Sequence, residues 1–258
     1  MDGKNYLGRL SEVLRRNVFT TVTLENLLII TPVKDSIVVA SEAITRVCQS
    51  KKNYRYRVYN DRSLPESRTV LEHGSILGYE LINIEDFTDS PSPNYRFTLI
   101  DAQQIALQSG SHLLIVESDV YVKPDTIEQL LHHAKTIDNC GIVAALTTDE
   151  NGIINFPYLH IKQAQQGLKK TRHRISFCCT LLTYDLLKSF DFNSLSPKKH
   201  WFDVQISKKS RTLGFQNLID TNLTVTHLPH SSRPWKSLKY KNPLKYYLRK
   251  YLKKLDRI

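Results

Sequence analysis

Apolar residues along this chain switch repeatedly between two patterns: short continuous or alternating runs, and runs spaced three and four apart. The first pattern predicts strands and the second amphipathic helices. A short helix over 6–18, with Leu7, Leu10, Val13 and Leu14 on one side, opens the chain. Residues 27–31 read as a buried strand ended by Pro32, and 37–49 as a helix presenting Ile37, Ala40, Ile44, Val47 and Cys48 together. Residues 54–59 alternate as a second strand that ends in Asn60-Asp61-Arg62-Ser63. A third strand covers 80–84, a polar proline-containing loop 86–93, a helix 97–109 and a fourth strand 112–116. Strands that alternate with helices imply βαβ units and a mostly parallel sheet. The second half begins with a strand over 141–146 and the turn Asp149-Glu150-Asn151-Gly152, followed by 153–156. A polar loop over 163–174, a strand over 176–182, a helix at 184–189, a helix over 201–213 closed by Gly214, and an extended 215–226 complete it. The expected class is an α/β fold with a mostly parallel central sheet and flanking helices.

One segment carries candidate chemistry. The strand 112–116 is followed by Glu117 and Asp119, then by Pro124, Asp125 and a helix marked by Ile127, Leu130 and Leu131. Alternate residues on a strand share a face, so the two carboxylates are expected to point together at a strand's carboxyl end. Open α/β sheets bind ligands at that end. Two carboxylates in one place repel, and a hard divalent ion that also binds phosphates relieves the repulsion. The bland alternative is a pair of solvated acids in a loop, with Asp125 as the helix N-cap.

Composition narrows the class. A chain of 258 residues with 41% hydrophobic content can bury a sizeable core. Its apolar runs are far shorter than the ~20 residues of a membrane span. The N-terminus has no signal-peptide pattern, which leads to a cytoplasmic expectation. Cys48, Cys140, Cys178 and Cys179 lack C-x-x-C spacing, and adjacent Cys178 and Cys179 should face opposite sides of a strand, which argues against zinc and disulfides. The net charge of +11 is uneven: residues 231–258 hold ten Lys and Arg against Asp256 alone. The remaining body is nearly neutral, which argues against nucleic acid as a partner.

Strand, acid-x-acid, Pro-Asp and amphipathic helix resemble the metal-binding segment of nucleotide-sugar-dependent glycosyltransferases of the GT-A fold, in particular the inverting family 2. The resemblance covers roughly residues 25–230, with a nucleotide-binding half at about 25–122 and an acceptor half at about 123–230. It implies Mg²⁺ or Mn²⁺ held by Glu117, Asp119 and His227, with His230 as a competitor for the last place. It implies a donor site at Thr31, Pro32 and Val33 in the first strand's end, and at Asp61, which in the family recognises uracil or ribose. Arg96 is implied near the diphosphate, and Asp101 stands where the family usually has Asn. Asp203 corresponds to the family's general base, although Phe202 replaces the acid that usually precedes it. Two departures, the absence of Gln-x-x-Arg-Trp after Asp203 and of membrane spans, point to a non-processive enzyme adding one sugar per encounter. The partners the resemblance implies are a nucleotide-sugar donor, a UDP-sugar most readily, and a lipid-linked or cell-surface glycan as acceptor. The rivals are a nucleotidyltransferase, disfavoured because residues 31–36 contain no glycine, and a non-catalytic binding or scaffold protein on the same fold.

The tail adds a partner. From Pro243, a first helical position, Leu244, Tyr247, Leu248, Tyr251, Leu252, Leu255 and Ile258 hold one stripe while Lys245, Arg249, Lys250, Lys253, Lys254 and Arg257 hold the other face. Such a helix reads as one that lies on an anionic membrane through residues 240–258, which would place the protein at the inner face of the membrane. The alternative is docking on the body or on a partner helix.

Overall fold

The computed structural model describes residues 26–50, 54–161, 166–197, 201–228 and 242–252. The expected helix over 6–18 and His230 lie outside them. The N-terminal half runs β1 (Leu27–Val33), α1 (Ile37–Cys48), β2 (Arg55–Asn60), α2 (Pro65–Gly74), β3 (Glu80–Asn83), α3 (Tyr95–Gln108) and β4 (His112–Val116). The second half runs β5 (Val120–Tyr121), α4 (Thr126–Thr136), β6 (Cys140–Thr148), β7 (Leu168–Lys170), β8 (Cys179–Leu182), α5 (Tyr184–Ser189), α6 (Phe202–Thr212) and β9 (Gln216–His227). A further helix, α7, spans Pro243–Leu252.

The strand order is β3-β2-β1-β4-β8-β6-β9-β5, with β7 on β9. The first four strands pair in parallel, as their alternation with helices predicts. The second half makes the sheet mixed, because β8 runs antiparallel to both β4 and β6 while β6 and β9 are parallel. Strand alternation divides the core into two layers. Leu27 and Ile29 face α1, α2 and α4 with Ile44, Leu71 and Leu130. Leu28 and Ile30 face α3, α5 and α6 with Leu99, Leu186 and Ile206.

Several local expectations change. Pro32 does not end β1, since Pro32 pairs with Tyr59 and the strand continues to Val33. The ladder to β4 stops at Ile30, so the side on which proline lacks a donor has no bond to lose. Helix α2 was not marked by the apolar spacing, because it buries only Ser67 and Leu71; Pro65 in its first turn was its signal. Asp125 makes no side-chain cap; instead Thr126 Oγ1 accepts from Lys123 N at 2.9 Å. Residues 153–156 contribute one bridge, Thr148 to Ile154, rather than a strand, and the expected loop over 163–174 contains β7. Among the described residues no helix is long and apolar enough to cross a membrane.

At the start of β6 a small residue is required. A Cβ on Gly141 would lie 2.5 Å from Ser210 Oγ and 2.6 Å from Phe215 Cβ. The latter is fixed by the chain's return from α6 into β9, so the backbone must move to admit a methyl group. Gly141→Ala should therefore lower stability by ~1–3 kcal/mol, the usual range for overpacking, seen as a lower urea midpoint; an unchanged midpoint would show that β6 and α6 separate freely.

Candidate active site

Backbone pairing assembles a polar cluster at the end of β4. The acids do not converge by strand alternation, because β4 stops at Val116 and residues 117–119 form a turn in which Val120 N donates to Glu117 O at 3.1 Å. Two neighbouring strands then add their ends. Glu117 N donates to Cys178 O at 2.9 Å, directly beyond the Val116–Cys179 pair of the β4–β8 ladder. On the other side Val120 pairs with His227, and Leu228 N donates to Asp119 O at 2.8 Å. The result is that Glu117, Cys178 and His227 bring donor atoms within 4.8 Å of one another, while Asp119 Oδ2 lies 3.5 Å from His227 Nε2.

The histidine is held in one orientation. Its Nδ1 lies 2.8 Å from the Phe156 carbonyl, so Nδ1 carries the proton and donates it. This leaves Nε2 turned toward Asp119, the arrangement that prepares a ring nitrogen to bind a metal. Asn155 Nδ2 donates to the His227 carbonyl at 2.9 Å and holds the end of the strand.

Electrostatics follows from the crowding. The Glu117 carboxyl is pushed up to about 7, first by burial and then by the charge of Asp119. Burial opposes a charged His227 ring, but its contact with Asp119 outweighs that and raises its proton affinity. The Cys178 thiol is pushed up by burial and then by the Glu117 and Asp119 charges. The Glu117 carboxylate, the His227 nitrogen and the Cys178 sulfur, with Asp119 beside the imidazole, are a donor set that fits a divalent cation, and such an ion would relieve the repulsion that helps to raise Glu117.

Asp203 stands in the first turn of α6, where the helix dipole favours a carboxylate. Its charge reaches Glu117, so the two elements face one site. Its Oδ2 accepts from Arg174 Nη1 at 3.1 Å, and the Arg174 guanidinium lies 4.9 Å over the Trp201 ring. The Tyr95 hydroxyl is buried without a hydrogen-bond partner among the described residues, and burial together with the Glu117 and Asp203 charges raises its proton affinity. The residue itself lines a cleft of about 570 Å³ that reaches from Thr88 to Phe202.

The other expected residues sit apart from this cluster. Asp61 accepts from Ser92 Oγ at 2.7 Å and from Asn94 N and Nδ2 at 2.8 Å, so it anchors the loop before α3. Thr31 Oγ1 is bonded to the Tyr56 hydroxyl at 2.8 Å and is buried. Pro32 and Val33 contribute backbone: Asp61 N donates to Val33 O at 2.9 Å. Arg96 donates to the Leu195 and Asn193 carbonyls at 2.8 and 2.6 Å. Asp101 accepts from Arg57 at 2.8 Å and from the Tyr59 hydroxyl at 2.6 Å. Arg96 and Asp101 both line the cleft beside Tyr95.

Comparison with solved structures agrees with this architecture. The chain is similar to a mannosyltransferase from Pyrobaculum calidifontis solved with GDP-Man and Mn²⁺, with a TM-score of 0.62 at 10% identity over 88% of this chain and 64% of that one. It is also similar to S. aureus TarS in complex with UDP, with a TM-score of 0.59 at 14% identity over 83% of this chain and 64% of that one. This chain has a glycosyltransferase fold. It spans less than two thirds of either neighbour's length. No protein-family profile and no curated protein sequence matches it.

Sequence reading missed Cys178, Arg174, Tyr95 and Trp201. Cys178 was placed in a strand, where its neighbour would face the other way, but β8 begins only at Cys179 and both sulfurs belong to one core layer. Arg174 fell in a segment read as a polar loop, and Tyr95 was placed ahead of its helix.

The Glu117 environment has a measurable consequence. The folded chain holds this proton more tightly than the unfolded chain, whose glutamates titrate near ~4.3. The wild-type protein should therefore lose stability as pH rises from about 4.5 to about 7. Glu117→Gln cannot ionise and escapes that loss. In the presence of a chelator its advantage over wild type should grow across this window to roughly 1–3 kcal/mol, read from urea midpoints at each pH; a difference constant with pH would show that Glu117 titrates as it does in water.

Proposed function

We infer that this protein is an inverting, metal-dependent glycosyltransferase of the family 2 type, which transfers one sugar from a nucleotide-sugar donor, most readily a UDP-sugar, to a hydroxyl of a lipid-linked or cell-surface glycan. The observation that carries this reading is the meeting of Asp119 Oδ2 and His227 Nε2 at 3.5 Å, beside Glu117, at the carboxyl end of a parallel β-unit. A sheet of this kind receives its ligand at that end, and both solved neighbours hold nucleotides. Glu117, Asp119 and His227 would hold Mg²⁺ or Mn²⁺, and the ion's role when bound is to neutralise the leaving diphosphate.

The side chains supply the rest. Asp203 takes the proton of the acceptor hydroxyl, and the oxygen so activated attacks the anomeric carbon from the face opposite the diphosphate. The Arg174 contact aims the carboxylate, and the Trp201 ring holds Arg174 in turn. An aromatic groove of about 350 Å³ lies beside this point between Phe190, Trp201 and the lysines of α6, a surface on which acceptor sugar rings can stack. The Asp61, Arg96 and Asp101 contacts set the shape of the donor side.

The first test is a donor-hydrolysis screen over common nucleotide sugars with Mn²⁺, with and without EDTA. Asp119→Ala should weaken UDP binding in the presence of Mn²⁺ by about tenfold or more in calorimetry; equal affinity would remove the metal role. Asp203→Asn should lower transfer ~10²–10⁴-fold while donor binding persists, and transfer at the wild-type rate would reduce Asp203 to a helix-terminal charge.

The tail supports a place at the membrane surface on the cytoplasmic side. Within α7, Tyr246 is buried, whereas Leu244, Tyr247, Leu248, Tyr251 and Leu252 are all more than half exposed. These five residues therefore do not dock on the described body, which suits a stripe that enters a headgroup layer beside the basic residues of the segment. Deleting residues 240–258 should abolish co-sedimentation with anionic liposomes at low salt and spare activity on a soluble acceptor; full-length protein that ignores such liposomes would make α7 a protein contact instead.

A further inference from the structure

We propose that Cys178 is a ligand of the metal centre, and that its sulfur makes this centre select Co²⁺- and Zn²⁺-like late first-row ions over Mg²⁺. This rests on the metal site described above and moves its preferred cation from Mg²⁺ or Mn²⁺ toward the later first-row ions. The sulfur, a Glu117 oxygen and a His227 nitrogen all lie within 4.8 Å of one another, and they are the group of three or more such donors found among the described residues. Ligands on one ion are separated by at most about twice the ~2.0–2.3 Å metal–donor distance, so small side-chain rotations close this set on a single centre. Asp119 Oδ2 lies 3.5 Å from His227 Nε2, outside this set of three, and would swing inward to supply a fourth donor.

The placement of the sulfur is built into the fold. The bond from Glu117 N to Cys178 O fastens the two backbones together, and Ser176 Oγ lies 3.4 Å from the sulfur and fixes its direction. Cys178 is 2% exposed, so the thiol is not a solvent-facing group that a passing ion meets by chance. Its Glu117 partner is the less buried member of the cluster.

The chemistry of the four donors differs from that of an oxygen cage. Mg²⁺ demands near-octahedral oxygen ligands and keeps most of its water. A sulfur, a nitrogen and two oxygens suit an ion that accepts four ligands and tolerates thiolate. Binding is a simple exchange: the sulfur–hydrogen bond breaks, the proton leaves to solvent, and the sulfur lone pair forms the metal–sulfur bond. No oxidant or reductant takes part.

Co²⁺ is the probe, because a thiolate on cobalt gives an intense near-ultraviolet charge-transfer band that oxygen and nitrogen ligands do not. The chelator-stripped full chain should develop this band at one equivalent of Co²⁺, and excess Mg²⁺ should not displace it. Cys178→Ser should lose the band, bind Co²⁺ at least about tenfold more weakly and discriminate less against Mg²⁺, while Cys140→Ser and Cys179→Ser keep it. The wild-type spectrum decides the matter even where a variant fails to fold. Cobalt bound with UDP but without the band would overturn sulfur ligation and leave the glycosyltransferase reading intact. Failure to bind any divalent cation, with or without UDP, would overturn both.

Discussion

The site exists because β9 is long and bent. Along twelve residues it pairs in parallel with β6, takes β7 on its other side, and ends against β5. Between Asp220 and Thr224 its register against β6 shifts, so that Ala145 and Leu146, adjacent on one strand, face partners four apart on the other. Such an irregularity bends a strand and re-aims the residues beyond the bend. Here it carries His227 back to the turn after β4, where the pairing with Val120 secures it. Without that bend the imidazole would continue along the sheet and the acids would have no nitrogen between them.

A second constraint is electrostatic. Asp119 and His227 are nearly buried, and Glu117 is partly so. Charged groups in such a place are stable only when paired or bound to an ion. The protein answers in two ways: it orients His227 with the Phe156 carbonyl, and it leaves a proton on Glu117 near neutral pH. These side chains can change protonation with little movement of the backbone, because the hydrogen bonds that fix residues 117, 178 and 228 run between backbone groups.

The other half of the molecule uses its polar groups as fasteners. Arg57 joins Glu80 on β3 to Asp101 on α3. Asp61 gathers Ser92 and Asn94, and Gln103 bridges the Leu187 and Phe190 carbonyls and the Phe192 amide, tying α3 to the segment that leads toward α6. Arg96 reaches the same segment from α3. The walls of the cleft beside Tyr95 are thereby held to one another.

Much of this was readable in the chain. Apolar alternation and helical spacing located β4, α1 and α5, because a buried element must present apolar residues at its own period. The acid pair, Asp203 and His227 were visible as polar residues at the ends of apolar runs, where a chain leaves the core. The tertiary structure alone decided which of them meet. Spacing along the chain placed Cys178 and Cys179 on opposite faces, yet β8 begins one residue late and both join one layer. Arg174 and Asp203 are 29 residues apart, and Cys178 reaches Glu117 only through antiparallel pairing of β4 with β8. Periodicity reports how one element faces its own core; register, bulges and strand order, which bring distant ends together, arise from pairing between elements and leave no local mark in the residues.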